Sequence, residues 1–347
     1  MGDPLVIRSC SQAQEWDTFV GTVPWATPQH AFAWGRALET CFGYLRQTYK
    51  LFVLRDRIVA ALPFIRLSGG GPFRSLHSLV FDSYGGPLIH SDCLADDDLS
   101  RAISAAIDSE ATRWRAFEAK LVAPPGAPEA VVQCLRRDDA VTCLRRDCHV
   151  LSLDRPMDSV VAGYAPSVRR AVRRSAREGV LVQEDPDLAE VRAAYPIYRR
   201  TMSRLGATSK PWRFIEALLR DKLAVAFLAR RDARPIALVV LLVSPRMASY
   251  WISAADPAAS ACRPTNALVD HAIRWCHARG IRRLSFGESQ PDRPGLVRFK
   301  EGWGAETTCS TTVLRVYRPR VRQAWSALEP TVRRGYAVWD RLRHGAT

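Results

Sequence analysis

Short apolar runs take turns with longer stretches whose apolar positions lie three and four apart along almost the whole of this chain. The first pattern predicts strands and the second amphipathic helices, since side chains alternate across a strand but return to one helix face about every 3.6 residues. Residues 46–54 and 58–67 read as strands around the turn Arg55-Asp56-Arg57, and 96–116 as a helix. Residues 119–123 then read as a strand, 129–136 as a short helix and 140–153 as a long strand. In the second half, 167–178 reads as a basic helix, 180–183 as a strand, 187–205 and 211–222 as helices, and 224–229 with 236–244 as a hairpin. Strands interleaved with helices predict an α+β architecture of mixed sheets flanked by helices.

The two hairpins match. Leu54-Arg55-Asp56-Arg57-Ile58 and Arg230-Arg231-Asp232-Ala233-Arg234-Pro235-Ile236 each join apolar strands through an Arg-Asp turn. Either a duplication or the common chemistry of hairpins produces such a repeat. The rhythm breaks at Leu153-Asp154-Arg155-Pro156-Met157, so the expected domains are 1–153 and 154–316, with 317–347 a basic C-terminal helix. The second domain ends in a distinct order: strand 247–254, a loop, helix 264–279, strand 281–286, a short helix in 295–304 and strand 308–316. Pro264 opens the long helix and Gly280 closes it, the expected asymmetry. The C-terminal helix carries Trp325, Leu328, Val332, Tyr336, Val338 and Leu342 on its apolar side. Its stripe is narrow, so it reads as packed against the body rather than lying on a membrane.

Composition narrows the classes. A length of 347 residues suits two domains. Lys and Arg number 50 against 35 Asp and Glu, a net charge of +15, which suits a polyanionic partner. An arginine-rich composition also follows from GC-rich coding, so charge alone does not choose. Arg169, Arg170, Arg173, Arg174 and Arg177 recur at helical spacing and form either a phosphate-binding face or a solvated surface. No run approaches the roughly 18 apolar residues of a membrane helix, and the N-terminus lacks the form of a secretory leader, so a cytoplasmic protein is expected. The nine cysteines include no CxxC pair, and Cys143, Cys148 and His149 lack a second ligand pair, so free thiols and no metal are expected.

Lys300 and Glu288 are the candidates for chemistry. A fixed ammonium stabilises the oxyanion that forms when an amine attacks an ester, and a carboxylate can take the proton the amine loses. Lys300 can equally cap its helix or pair with Glu301, and Glu288 can pair with an arginine. Tyr84 beside Gly85-Gly86 places a hydroxyl either in a cleft or in a packed turn.

Several segments resemble the Fem-type peptidyltransferases and the related double-GNAT proteins called FemAB-like. They are Gln29-His30-Ala31-Phe32-Ala33-Trp34 with Phe42-Gly43, Phe81-Asp82-Ser83-Tyr84-Gly85-Gly86-Pro87, Arg263-Pro264-Thr265-Asn266, Phe286-Gly287-Glu288-Ser289 and Arg298-Phe299-Lys300-Glu301-Gly302-Trp303-Gly304. The resemblance runs from about 25 to 316. It implies two tandem GNAT-like acyltransferase domains, with an aminoacyl group moved from aminoacyl-tRNA to a small-molecule or peptide amine and no bound cofactor. It places Phe299 and Lys300 along the acyl channel with Glu288 nearby. Trp34, Arg36, Asp82, Tyr84, Gly85, Arg263 and Asn266 then fall on the substrate side.

Two departures bear on the donor. Residues 178–250 hold no heptad run for the family's coiled-coil arm, which weakens the case for cell-wall cross-bridge synthesis. The loop before Pro264 has no glycine, whereas acetyl-CoA enzymes cradle pyrophosphate there on a glycine-rich backbone. An acyl-CoA-dependent N-acyltransferase is therefore the alternative. A silent nucleic-acid-binding protein comes third, because no helix-turn-helix, zinc finger or aromatic RNA-binding motif is present.

Overall fold

The computed structural model describes residues 4–81, 84–136, 141–289 and 292–344. The chain divides into two compact units, the first made of 1–148 and 308–327 and the second of 149–307 and 328–347.

The first unit contains β1 (Val6–Ser9), α1 (Ala13–Thr22), α2 (Phe32–Cys41), β2 (Leu45–Leu54), β3 (Arg57–Ser68), β4 (Arg74–His77), β5 (Leu88–Ile89), α3 (Asp97–Trp114), β6 (Glu118–Ala123), α4 (Glu129–Leu135) and the start of β7 (Val141–Ser152). The second contains α5 (Met157–Ala162), α6 (Pro166–Arg177), β8 (Leu181–Glu184), α7 (Leu188–Arg204), α8 (Trp212–Arg220), β9 (Ala224–Arg231), β10 (Arg234–Val243), β11 (Met247–Ala255), α9 (Pro264–Ala278), β12 (Arg283–Glu288) and α10 (Pro294–Glu301). β13 (Glu306–Val316) and α11 (Pro319–His344) close the chain.

Each unit is a mixed sheet with the same logic. In the first, β1, β2, β3 and β4 form an antiparallel series, β6 joins β4 in parallel, and β13 lies antiparallel beside β6. In the second, β8, β9, β10 and β11 form the antiparallel series, β12 joins β11 in parallel, and β7 lies beside β12. The closing strands are exchanged: β7 follows the helix after β6 yet pairs with β12, whereas β13 follows the helix after β12 yet pairs with β6. The first unit therefore takes its last strand from the far end of the chain, which the contiguous division at 153/154 does not contain. Arg315 secures that strand. Its buried guanidinium donates to the carbonyls of Leu135 and Cys134 at 3.0 and 3.2 Å and to Asp108 Oδ1 at 3.0 Å. Only a planar group with several fixed donors satisfies so many acceptors at once.

The matched hairpins share their turn geometry. Arg55 and Asp56 in one, and Asp232 and Ala233 in the other, all have positive φ, the two-residue turn whose twist suits flanking strands. β10 is buried over Ile236–Leu242 on both faces, as a continuous apolar run in a covered sheet should be. Trp16, Phe52, Phe64, Ile107 and Val313 lie in the first core, and Leu151, Phe227, Val239, Ile273 and Trp303 in the second.

Candidate functional site

The second unit carries a fork. β11 and β12 pair in parallel from Met247 with Arg283 to Ser249 with Ser285, then run on to Ala255 and Glu288 without pairing with each other. At the same level β11 shifts register against β10: Val240 faces Ile252, Leu241 faces Tyr250, and Trp251 is the extra residue of a bulge. A bulge bends its strand, which accounts for the divergence. Ser249 sits at the branch point, and its buried hydroxyl has no hydrogen-bond partner among the described residues. The Tyr250 ring lies 5.4 Å from Phe286 across the gap, and burial raises its phenol pKa.

Lys300 closes the end of β12. Gly287 has φ +72°, a conformation that favours glycine, and its carbonyl accepts a 2.9 Å hydrogen bond from Lys300 Nζ. The Glu288 carbonyl accepts a second at 2.7 Å. Lys300 is 3% exposed, so a positive charge is held in a largely dry place by backbone dipoles. The sequence left open a helix-cap role or a Glu301 pair; the side chain instead reaches back from α10 to the strand. Glu288 itself is exposed at the strand end. Phe299 is half-buried and packs edge-on against Trp303, at 6.3 Å between rings and 76° between planes, so its place is in the core cluster.

The Gly302-Trp303-Gly304 turn fixes α10 to the start of α6. Trp303 meets Tyr164 edge to face at 5.0 Å, and the Ala165 amide donates to the Gly302 carbonyl at 2.8 Å. α6 presents Arg170, Arg173, Arg174 and Arg177 to solvent, spaced as one stripe. Arg169 is half-buried and bonds the Ala162 carbonyl at 3.0 Å, so it belongs to the helix's anchorage. Arg174 lies 3.6 Å from Glu178, an exposed pair of small energetic weight.

A polar cluster around the buried His149 and Ser289 escaped sequence reasoning. Ser289 Oγ lies 3.2 Å from His149 Nδ1, and Thr307 Oγ1 lies 3.5 Å from His149 Nε2. A neutral imidazole donates through one nitrogen and accepts through the other, so the two hydroxyls take opposite roles. No local signal reveals this pairing, because the partners stand 140 and 158 residues apart. Cys143 is exposed, while Cys148 is buried. Among the described residues no group of His, Cys, Asp or Glu could hold a metal ion.

Arg263 and Asn266 stand at the start of α9. Arg263 is exposed and adopts the left-handed conformation, φ 55°, that caps the helix, and its carbonyl accepts from the Asn266 amide at 3.0 Å.

The substrate-side candidates of the first unit are differently placed. Trp34 is 0% exposed and lies inside the fold. Tyr84 is also buried, with its hydroxyl 3.3 Å from Cys148 Sγ; the packed turn, rather than a cleft hydroxyl, describes it. Gly85 is required by close approach, since a Cβ there would lie 2.2 Å from Leu79 Cγ. Arg36 is exposed, and Asp82 lies outside the described residues.

Comparison with known proteins bears on the fold. Residues 164–301 match the model of the acetyltransferase (GNAT) domain family. No curated protein matches the chain in sequence. The solved structure of FemX superposes with a TM-score of 0.72 at 14% identity, covering 92% of this chain and 99% of that one. L-PGS from Bacillus licheniformis gives 0.56 at 12%, covering 88% and 92%. A tandem GNAT protein from the clavulanic acid biosynthesis pathway gives 0.51 at 13%, covering 89% and 98%. At these identities the likeness concerns the fold, which is that of the double-GNAT proteins.

Proposed function

We propose that this GNAT-superfamily chain, of FemAB-like build, transfers an aminoacyl group from aminoacyl-tRNA to an amine and so forms an amide bond. One observation carries the reading: the Lys300 ammonium is fixed by the Gly287 and Glu288 carbonyls, on the strand that leaves the fork. In the reaction the amine nitrogen attacks the ester carbonyl. The C–N bond forms, the C–O bond to the ribose breaks, and the amine loses a proton while the ribose oxygen gains one. The buried charge of Lys300 favours the negative charge that grows on the carbonyl oxygen, and it is already oriented before reaction. Glu288, exposed beside it, is the acceptor for the amine proton. The arginines of α6, joined to the Lys300 helix through Ala165 and Gly302, supply phosphate contacts for the tRNA backbone.

A second reading, acyl-CoA-dependent N-acylation, is favoured by one observation, the acetyltransferase model over 164–301. The glycine-free loop before Pro264 and the outward Arg263 weigh against it. The experiment offers the purified protein labelled aminoacyl-tRNA or acetyl-CoA, each with a panel of primary amines. Amine-dependent loss of label from tRNA supports the first reading. Consumption of acetyl-CoA alone transfers the assignment to the second, and consumption of neither rejects both.

A further inference from the structure

The apolar stripe of α11 changes its surroundings partway along the helix. Val321, Trp325, Leu328 and Val332 follow one another at spacings of four and three, so they lie on one face. The first part of that face is occupied. Trp325 packs 5.3 Å from Phe73 and 6.2 Å from Phe117, and Arg322 pairs with Glu118 at 2.8 Å. Beyond Trp325 the face is uncovered: Leu328 is 46% exposed and Val332 40%. The sequence continues the spacing through Tyr336 and Trp339. The packed-helix reading of the sequence therefore holds for the first turns and not for Leu328 and Val332.

We propose that α11 beyond Trp325 is a docking surface for an anionic lipid bilayer, on which the helix lies flat. Charge selects this occupant. Beyond Trp325 the helix sequence carries Arg333, Arg334, Arg341 and Arg343 against Glu329 and Asp340. A second copy laid along the stripe would bring two cationic helices together, and no alternation of charge along the helix would relieve the repulsion. An anionic headgroup layer complements the arginines while the acyl boundary takes Leu328 and Val332, the arrangement of interfacial helices. The helix does not span: no helix of the described residues is long and apolar enough to cross a membrane. Docking of this kind is independent of the aminoacyl-transfer reading and needs no donor or acceptor.

The test sediments the full chain with vesicles of phosphatidylglycerol and phosphatidylcholine in equal parts, and with phosphatidylcholine alone. Binding is expected to the first and not to the second, and to weaken as salt rises. Leu328→Glu/Val332→Glu should reduce partitioning at least about tenfold, because it removes two apolar anchors and adds like charge to the surface. Leu328→Ser/Val332→Ser repeats the test without new charge, and serves in its place if the first variant melts early. Leu181→Glu, at a still more exposed leucine on β8, should change nothing. Three outcomes overturn the proposal: no binding to anionic vesicles, undiminished binding by both double variants, or a self-association that the same variants abolish, which assigns the face to a second copy.

Discussion

The Ala165 amide donates a 2.8 Å hydrogen bond to the carbonyl of Gly302, two residues beyond Lys300. This bond joins the helix that positions the buried ammonium to the helix that presents the exposed arginines. The neighbouring turn leaves little freedom. Gly304 has φ +79°, and a Cβ there would stand 3.1 Å from the Gly163 carbonyl oxygen. Gly304→Ala is therefore expected to cost about 1–3 kcal/mol of stability, read as a lower denaturant midpoint with an unchanged slope.

Lys300→Met should remove most transfer activity, on the order of a hundredfold in turnover, the typical loss of one preorganised oxyanion stabiliser. It should also lower stability by roughly 1 kcal/mol, because the Gly287 and Glu288 carbonyls lose their shared donor. The two effects separate by measuring donor consumption well below the melting temperature, with circular dichroism confirming that the variant is folded. Full turnover in folded Lys300→Met would show that the lysine serves only to hold β12.

For the basic helix, Arg170→Glu/Arg173→Glu alters two exposed side chains that make no ion pair among the described residues. If α6 contacts tRNA phosphates, the slope of log affinity against log salt should flatten by about one for each arginine removed. Melting should be unaffected, and filter binding across a salt series measures the slope. An unchanged slope would remove α6 from the tRNA interface.

His30 predicts a pH dependence in the first unit. It is fully buried; Thr27 N–H donates to its Nδ1 at 3.1 Å, and its Nε2 lies 3.4 Å from the Gly86 carbonyl. Nδ1 must stay unprotonated to accept, so the neutral ring fits the site. Burial, above all, lowers its pKa from 6.5 to about 4. The unfolded chain therefore takes up the proton first as pH falls. The stabilising contribution of neutral His30 is complete above 6.5 and is lost as pH drops towards about 4, on the order of 3 kcal/mol in all. His30→Gln, which cannot titrate, should make the stability curve shallower across that window, leaving the part due to His77, whose pKa desolvation also lowers to about 4. Denaturant melts in steps from neutral to acid pH give the comparison.

Residues 45–54, 57–68, 224–231 and 234–243 declared themselves as strands because their burial is written in local apolar runs, and both hairpin turns lie at an Arg-Asp or Asp-Ala step. Pro264 and Gly280 marked the bounds of α9 for an equally local reason: one lacks an amide that the first turn does not use, and the other tolerates positive φ. The Phe299-Lys300 segment was legible as a motif, and so was the arginine stripe. Tertiary structure alone decided the rest. The exchange of β7 and β13 depends on which sheet edge each strand meets, and one apolar strand pattern satisfies either edge. The same limit hid the clamp of Lys300 on Gly287 and Glu288, the approach of His149 to Ser289, and the burial of Trp34 and Tyr84. A sequence pattern records how much of a side chain is hidden from water; which atoms complete its hydrogen bonds is set by contacts far along the chain.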